Sequence, residues 1–224
     1  MNNIASTALA LTVTNSATDA TFTYTDAAIE GTADSATLTL KGQTAGTDVI
    51  AGIETLNIVS SDSPNALTAL TAADATTIAI SGDQTLNLGS ANTVATTITS
   101  TNTAGVTLVS NHAAKAVKIT TGAGKDSITF TEGAAKDNSV DAGAGNDTIT
   151  FTANLANTDT VVGGDGTDTL VATSSNLNYT KPTTATISGI EVVKVSNALA
   201  NDVTLSSLQA GIKTAELAAE FQQF

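Results

Sequence analysis

Gly122-Ala123-Gly124-Lys125-Asp126, Gly143-Ala144-Gly145-Asn146-Asp147 and Gly164-Asp165-Gly166-Thr167-Asp168 recur with their aspartates 21 residues apart. The apolar residues two places after each aspartate (Ile128, Ile149, Leu170) and seven places before it (Ile119, Val140, Val161) keep the same step. So many positions in register at a period near twenty read as stacked coils, each adding one rung to a β-solenoid. Glycine admits a tight turn with positive φ, and the aspartate brings a hard oxygen to the same edge of every coil. Neighbouring coils of a parallel stack lie ~4.8 Å apart. At that spacing adjacent carboxylates repel by about 3–4 kcal/mol at an effective dielectric of 20. A divalent cation between turns converts the repulsion into attraction, and calcium tolerates irregular, carbonyl-rich cages that magnesium does not. The ligand set expected is Gly122, Gly124 and Asp126, then Gly143, Gly145 and Asp147, then Gly164, Asp165, Gly166 and Asp168. The alternative is a set of plain Asx-Gly turns, which would not need Gly, Gly and Asp at identical offsets three times.

Outward from these loops the chain reads as short strands. Ala36-Thr37-Leu38-Thr39-Leu40, Thr77-Ile78-Ala79-Ile80 and Val106-Thr107-Leu108-Val109 alternate apolar with polar residues and are broken by Ser, Asn, Gly and Asp. That is the strand-and-turn pattern. The fold class expected is all-β: a right-handed parallel β-helix or β-roll with calcium turns on one edge. Residues 1–50, with longer hairpin-like strands, read as a β-rich cap or as the start of the solenoid. Residues 51–185 form the solenoid, with the calcium turns at 121–171. Residues 186–224 open a second module, because Gly52-Ile53-Glu54-Thr55-Leu56 returns as Gly189-Ile190-Glu191-Val192-Val193. The equivalent positions of Glu54 and Glu191 argue for a structural role. Phe130 and Phe151, 21 apart, should stack in the core. Helical patterning is confined to Ala66–Ala75 and to Leu208–Phe224, where Leu208, Ile212, Leu217 and Phe221 fall near one face.

The composition narrows the function. Hydrophobic residues make up 41% of the 224 but aromatics only 3%, which suits thin coils built from Val, Ile, Leu and Thr methyls. The net charge of −13, with no arginine, disfavours nucleic acid and anionic membranes and favours divalent cations. Cysteine is absent, so thiol chemistry is unavailable. No apolar run approaches the roughly 18–20 residues of a membrane span, and residues 1–14 lack the basic start of a secretory signal. His112, the single histidine, reads as a loop residue. No nucleophile–base set, zinc-protease helix or phosphate loop is present, so no enzymatic role is expected. Asp141 and Asp159 read as turn formers or strand caps.

Gly163-Gly164-Asp165-Gly166-Thr167-Asp168-Thr169-Leu170-Val171 resembles the nonapeptide Gly-Gly-x-Gly-x-Asp-x-apolar-x of the repeats-in-toxin (RTX) calcium-binding family. Thr121–Thr129 and Ala142–Thr150 lack only its first glycine. The resemblance implies a β-roll holding Ca²⁺ between turns and folding outside the cell after type I secretion. The family's roll repeats every nine residues and lines both edges with calcium. Here the longer step leaves calcium on one edge, with Glu132–Asn138 and Ala153–Asp159 on the other. Lys125 stands where the family carries Asn or Asp. The Thr/Ala-rich flanks are similar to those of Gram-negative surface-layer (S-layer) proteins and large adhesins. A structural, extracellular calcium-binding module is therefore expected, self-associating into a lattice or filament and contacting cell-surface polysaccharide. The alternative is an adhesin or glycan-binding passenger on the same scaffold.

Overall fold

Threonine, valine, isoleucine and leucine at every second position leave one face of each short strand apolar, and stacking the strands in parallel buries that face. In a computed structural model, residues 4–6, 10–110, 115–131, 137–153, 155–156, 158–177, 186–197 and 211–217 are described. They form an all-β parallel solenoid, with helix confined among them to Asp26–Ala28 and Ser174–Leu177. One nine-stranded sheet runs from Leu11–Thr14 through Ser35–Lys41, Thr55–Ser61 and onward to Thr186–Ser188. An eight-stranded sheet faces it, from Asn65–Ala66 to Thr214–Leu217. The early coils carry a third face of four strands, Ala20–Phe22, Thr47–Ile50, Ala69–Ala72 and Ser90–Thr93.

Register sets the period. Thr55 pairs with Thr77, Thr77 with Thr97, Thr97 with Lys118, Lys118 with Ser139 and Ser139 with Thr160. Successive coils thus advance by 22, 20, 21, 21 and 21 residues, so the coil length seen in the glycine turns extends well upstream of them. Ile119, Val140 and Val161 form one buried ladder, and Ile128, Ile149 and Leu170 the facing one. Phe130 and Phe151 stack with centroids 4.7 Å apart and planes within 10°, as their spacing predicts. Phe22 and Tyr24 are core residues.

Local readings yield to the sheets in three places. Residues 11–50 form parallel strands rather than hairpins, since Leu11–Thr14 pairs with Ser35–Lys41, which pairs with Thr55–Ser61. Ala69–Ala72, inside the helix-patterned stretch, is a strand with Leu70 and Ala72 inward. Thr214–Leu217 is likewise a strand, paired with Val192–Val195, while 208–210 and 218–224 lie outside the described residues. In each case a neighbouring coil offers a row of unpaired N–H and C=O groups, and that outweighs the local hairpin or weak helix preference. Sheets run without a break across residues 50 and 186. The two Gly-Ile-Glu motifs enter different faces: Glu54 precedes a strand of the nine-stranded sheet and Glu191 one of the eight-stranded sheet. No helix among the described residues is long and apolar enough to cross a membrane.

Phe151 is almost completely buried and stacks on Phe130. Phe151→Ala should cost about 3–5 kcal/mol of stability, read as a lowered denaturant midpoint in excess calcium.

Candidate metal centre

A parallel ladder runs out where the chain turns from one sheet to the next, and the last N–H of each coil then needs an acceptor. Here the side chain one coil further on supplies it. Val106 N–H donates to Asp126 Oδ1 (2.7 Å), Asp126 N–H to Asp147 Oδ1 (2.7 Å) and Asp147 N–H to Asp168 Oδ1 (2.8 Å). Asp168 N–H in turn donates to Glu191 Oε2 (2.9 Å). The three aspartates therefore point inward and are at most 1% exposed. Their strand positions are in register, with Ser127 on Thr148 and Thr148 on Thr169. The Gly-x-Gly segments make this possible. Gly164 has φ +105°, and a Cβ there would collide with the Gly143 carbonyl of the coil before.

The second carboxylate oxygen is the chemically exposed one. Oδ2 of Asp126, Asp147 and Asp168 is buried and has no hydrogen-bond partner. A buried ionised group without a partner is costly, and the remedy is a proton or a cation. Burial, with the neighbouring charges of Asp126 and Asp168 adding to it, pushes the Asp147 carboxyl up to about 6, against the opposing effect of its bond from Asp126 N–H. Burial also raises Asp126 and Asp168 above the usual carboxylate range.

The same corner shows what satisfies the position without charge. By register, Asn65 and Leu86 continue the aspartate column upstream through Val106. Asn65 Oδ1 accepts Gln43 N–H at 2.8 Å, as each aspartate accepts the N–H before it. Its Nδ2 donates to Ser63 O (2.8 Å) and Ser60 Oγ (2.9 Å), with Leu40 O at 3.2 Å. A positively polarised NH₂ there binds corner oxygens, where the aspartates instead present an unpartnered oxygen.

The opposite edge is built on the same bond but closed. Val117 N–H donates to Asn138 Oδ1 (3.0 Å) and Asn138 N–H to Asp159 Oδ1 (2.8 Å). Asp159 Oδ2 is then taken by Ala156 N–H at 2.7 Å, so both its oxygens have donors. Glu54 Oε2 accepts Asp34 N–H at 2.8 Å on this edge. Asp141 is exposed and closes an Asx turn to Gly143 N–H. Asp165 is exposed on its turn, where its charge still adds to the rise at Asp168, and Lys125 and Asn146 are exposed too. His112 and Glu132 fall outside the described residues.

Among the described residues no three acidic, histidine or cysteine side chains gather into one cluster. The column instead provides one carboxylate per coil, so an ion between two coils would take two carboxylates and complete its shell with turn carbonyls. That donor set is all hard oxygen, which suits calcium. Sequence reasoning placed the aspartates but missed Glu191, which stands 23 rather than 21 residues after Asp168. The recurrence of Gly-Ile-Glu was its one visible signal. No protein-family model matches the chain, and no curated protein matches it significantly.

The pH dependence of the metal-free protein follows from the raised carboxyls. With folded values above the ordinary 3.8, the folded state holds more protons than the unfolded chain in the window up to about 6. Stability should therefore rise as pH falls from about 7 to about 5. The check is the melting temperature of chelator-treated protein against pH, and a fall over that interval would contradict the buried, unpaired state of the column.

Proposed function

We propose that this chain is a structural calcium-binding module of the bacterial cell surface, folding and assembling where calcium is abundant. The observation that carries the reading is the stack of buried, partnerless Oδ2 atoms on Asp126, Asp147 and Asp168. Calcium would be held by these carboxylates with carbonyls of the Gly122–Gly124, Gly143–Gly145 and Gly164–Gly166 turns. The ion supplies charge neutralisation between coils. The resemblance of the turns to RTX repeats, and of the flanks to S-layer solenoids, supports an extracellular setting and lateral or end-to-end assembly. Repulsion within an empty column would keep the turns open where calcium is scarce, as secretion of an unfolded chain requires. Outside the cell, binding to the stacked form alone stabilises it by mass action, by about 1.4 kcal/mol per site at a free calcium tenfold above Kd.

Calcium should raise the melting temperature, and chelator should reverse the rise. Electron microscopy of the same sample tests assembly, with ordered sheets or filaments expected on adding calcium. An adhesin-like module would stay monomeric.

Asp147→Asn separates charge from hydrogen bonding. The variant keeps an oxygen for Asp126 N–H, as Asn138 does for Val117 N–H on the other edge. It should melt at or above the wild-type temperature without calcium and lose most of the calcium-induced rise. Hydrogen exchange should divide the chain without calcium, with protection kept over residues 35–110, where Asn65 closes the corner, and lost over 121–191. Uniform protection along the chain in chelator would count against the proposal.

A further inference from the structure

We infer that Glu191 forms a fourth acidic rung, building with Asp168 and the Gly189 carbonyl a site for a hard divalent cation outside the three sequence repeats. This rests on the cation reading of the column and extends it by one coil. Thr169 pairs with Val192, which places Asp168 and Glu191 in register. Glu191 Oε2 accepts Asp168 N–H at 2.9 Å, the bond that joins every lower pair of rungs.

The corner that carries Glu191 differs from those before it. Strand Thr160–Val162 is separated from Thr169–Ala172 by the six residues 163–168, whereas Thr186–Ser188 is separated from Val192–Val195 by only Gly189, Ile190 and Glu191. The shorter corner has no room for a Gly-x-Gly loop, and the extra methylene of glutamate lets the carboxylate reach the same N–H from it.

The tight corner also brings a carbonyl to the column. A Cβ on Gly163 would collide with the Gly189 carbonyl oxygen and would lie 2.8 Å from Asp168 Oδ2. Those two oxygens thus flank the same side of Gly163. Asp168 is fully buried, and its Oδ2 has no partner. One turn earlier the equivalent position is Ala142, and two turns earlier it is Thr121, whose hydroxyl donates to the Ala142 carbonyl at 2.9 Å. A side chain stands beside the column in those turns. At Gly163 the Gly189 carbonyl oxygen and an unpartnered carboxylate oxygen stand there instead, with Glu191 as the second acid. Two carboxylates and a carbonyl are the beginning of a calcium shell.

The test is equilibrium dialysis of the full chain with radioactive calcium, run beside thermal melts. Glu191→Gln keeps the acceptor for Asp168 N–H and removes the charge. It should bind one calcium fewer than wild type and retain part of the calcium-induced rise in melting temperature. Glu191→Asp keeps the charge and loses reach, and it should bind the full number with the last ion weaker; this variant decides the matter if the glutamine form does not fold. Wild-type stoichiometry and affinity in both variants would overturn the role of Glu191 while leaving the aspartate column intact. If the wild-type chain itself binds no calcium, the reading of the whole column fails, and this site with it.

Discussion

Many corners of this solenoid are closed by a side-chain oxygen that accepts a backbone N–H from the coil before it. The N–H groups of Asn65 and Leu86 go instead to the Thr85 and Gly105 carbonyls. The constraint is elementary. Where a parallel ladder stops at a corner, the terminal N–H faces inward, away from water, and a missing acceptor would cost about 1–3 kcal/mol. Asn65, Asp126, Asp147, Asp168 and Glu191 meet it along one edge, and Glu54, Asn138 and Asp159 along the other. The side chains that do so are short ones carrying an sp² oxygen, or glutamate. Once in place, each fixes the rotation of its coil on the last, and with it the register of the apolar ladders.

What differs between corners is the second atom of the same group. In Asn65 it is an NH₂ that donates to nearby oxygens, so the corner is complete and neutral. In Asp159 it is an oxygen that receives the Ala156 N–H. In Asp126, Asp147 and Asp168 it is a buried oxygen with no hydrogen-bond donor. One backbone arrangement thus yields corners stable by themselves and corners that need a positive partner, and the choice is made by one atom. The second kind is gathered in the later coils, opposite the Asp159 edge, so an electrostatic load concentrates on one side of one half of the molecule.

That distribution gives the proposed calcium response a direction. The early coils, closed by an amide and by a third sheet face, offer a preformed edge on which later coils can add. The later coils lack that four-stranded face among the described residues, pair only Ala144–Gly145 with Asp165–Gly166 at the glycine corner, and carry the carboxylate column, so their stacking is the step an ion would govern. A solenoid suits such a division because each coil contacts mainly its neighbours, and stability is close to a sum of adjacent terms.

The 21-residue step, the facing ladders of Ile119, Val140 and Val161 with Ile128, Ile149 and Leu170, and the Phe130–Phe151 stack were all legible in the sequence. A translational repeat puts equivalent residues in equivalent places without any long-range information. The aspartates were legible for the same reason, as members of a column. Tertiary structure alone decided that each aspartate spends one oxygen on a neighbour's N–H and leaves the other bare, because that depends on the inward angle of the corner. It also decided that Glu191 joins the column while Asp165 turns to solvent, and that Ala69–Ala72 and Thr214–Leu217 become strands. Those outcomes depend on what the adjacent coil presents, and a residue's own neighbours in the chain carry no record of that.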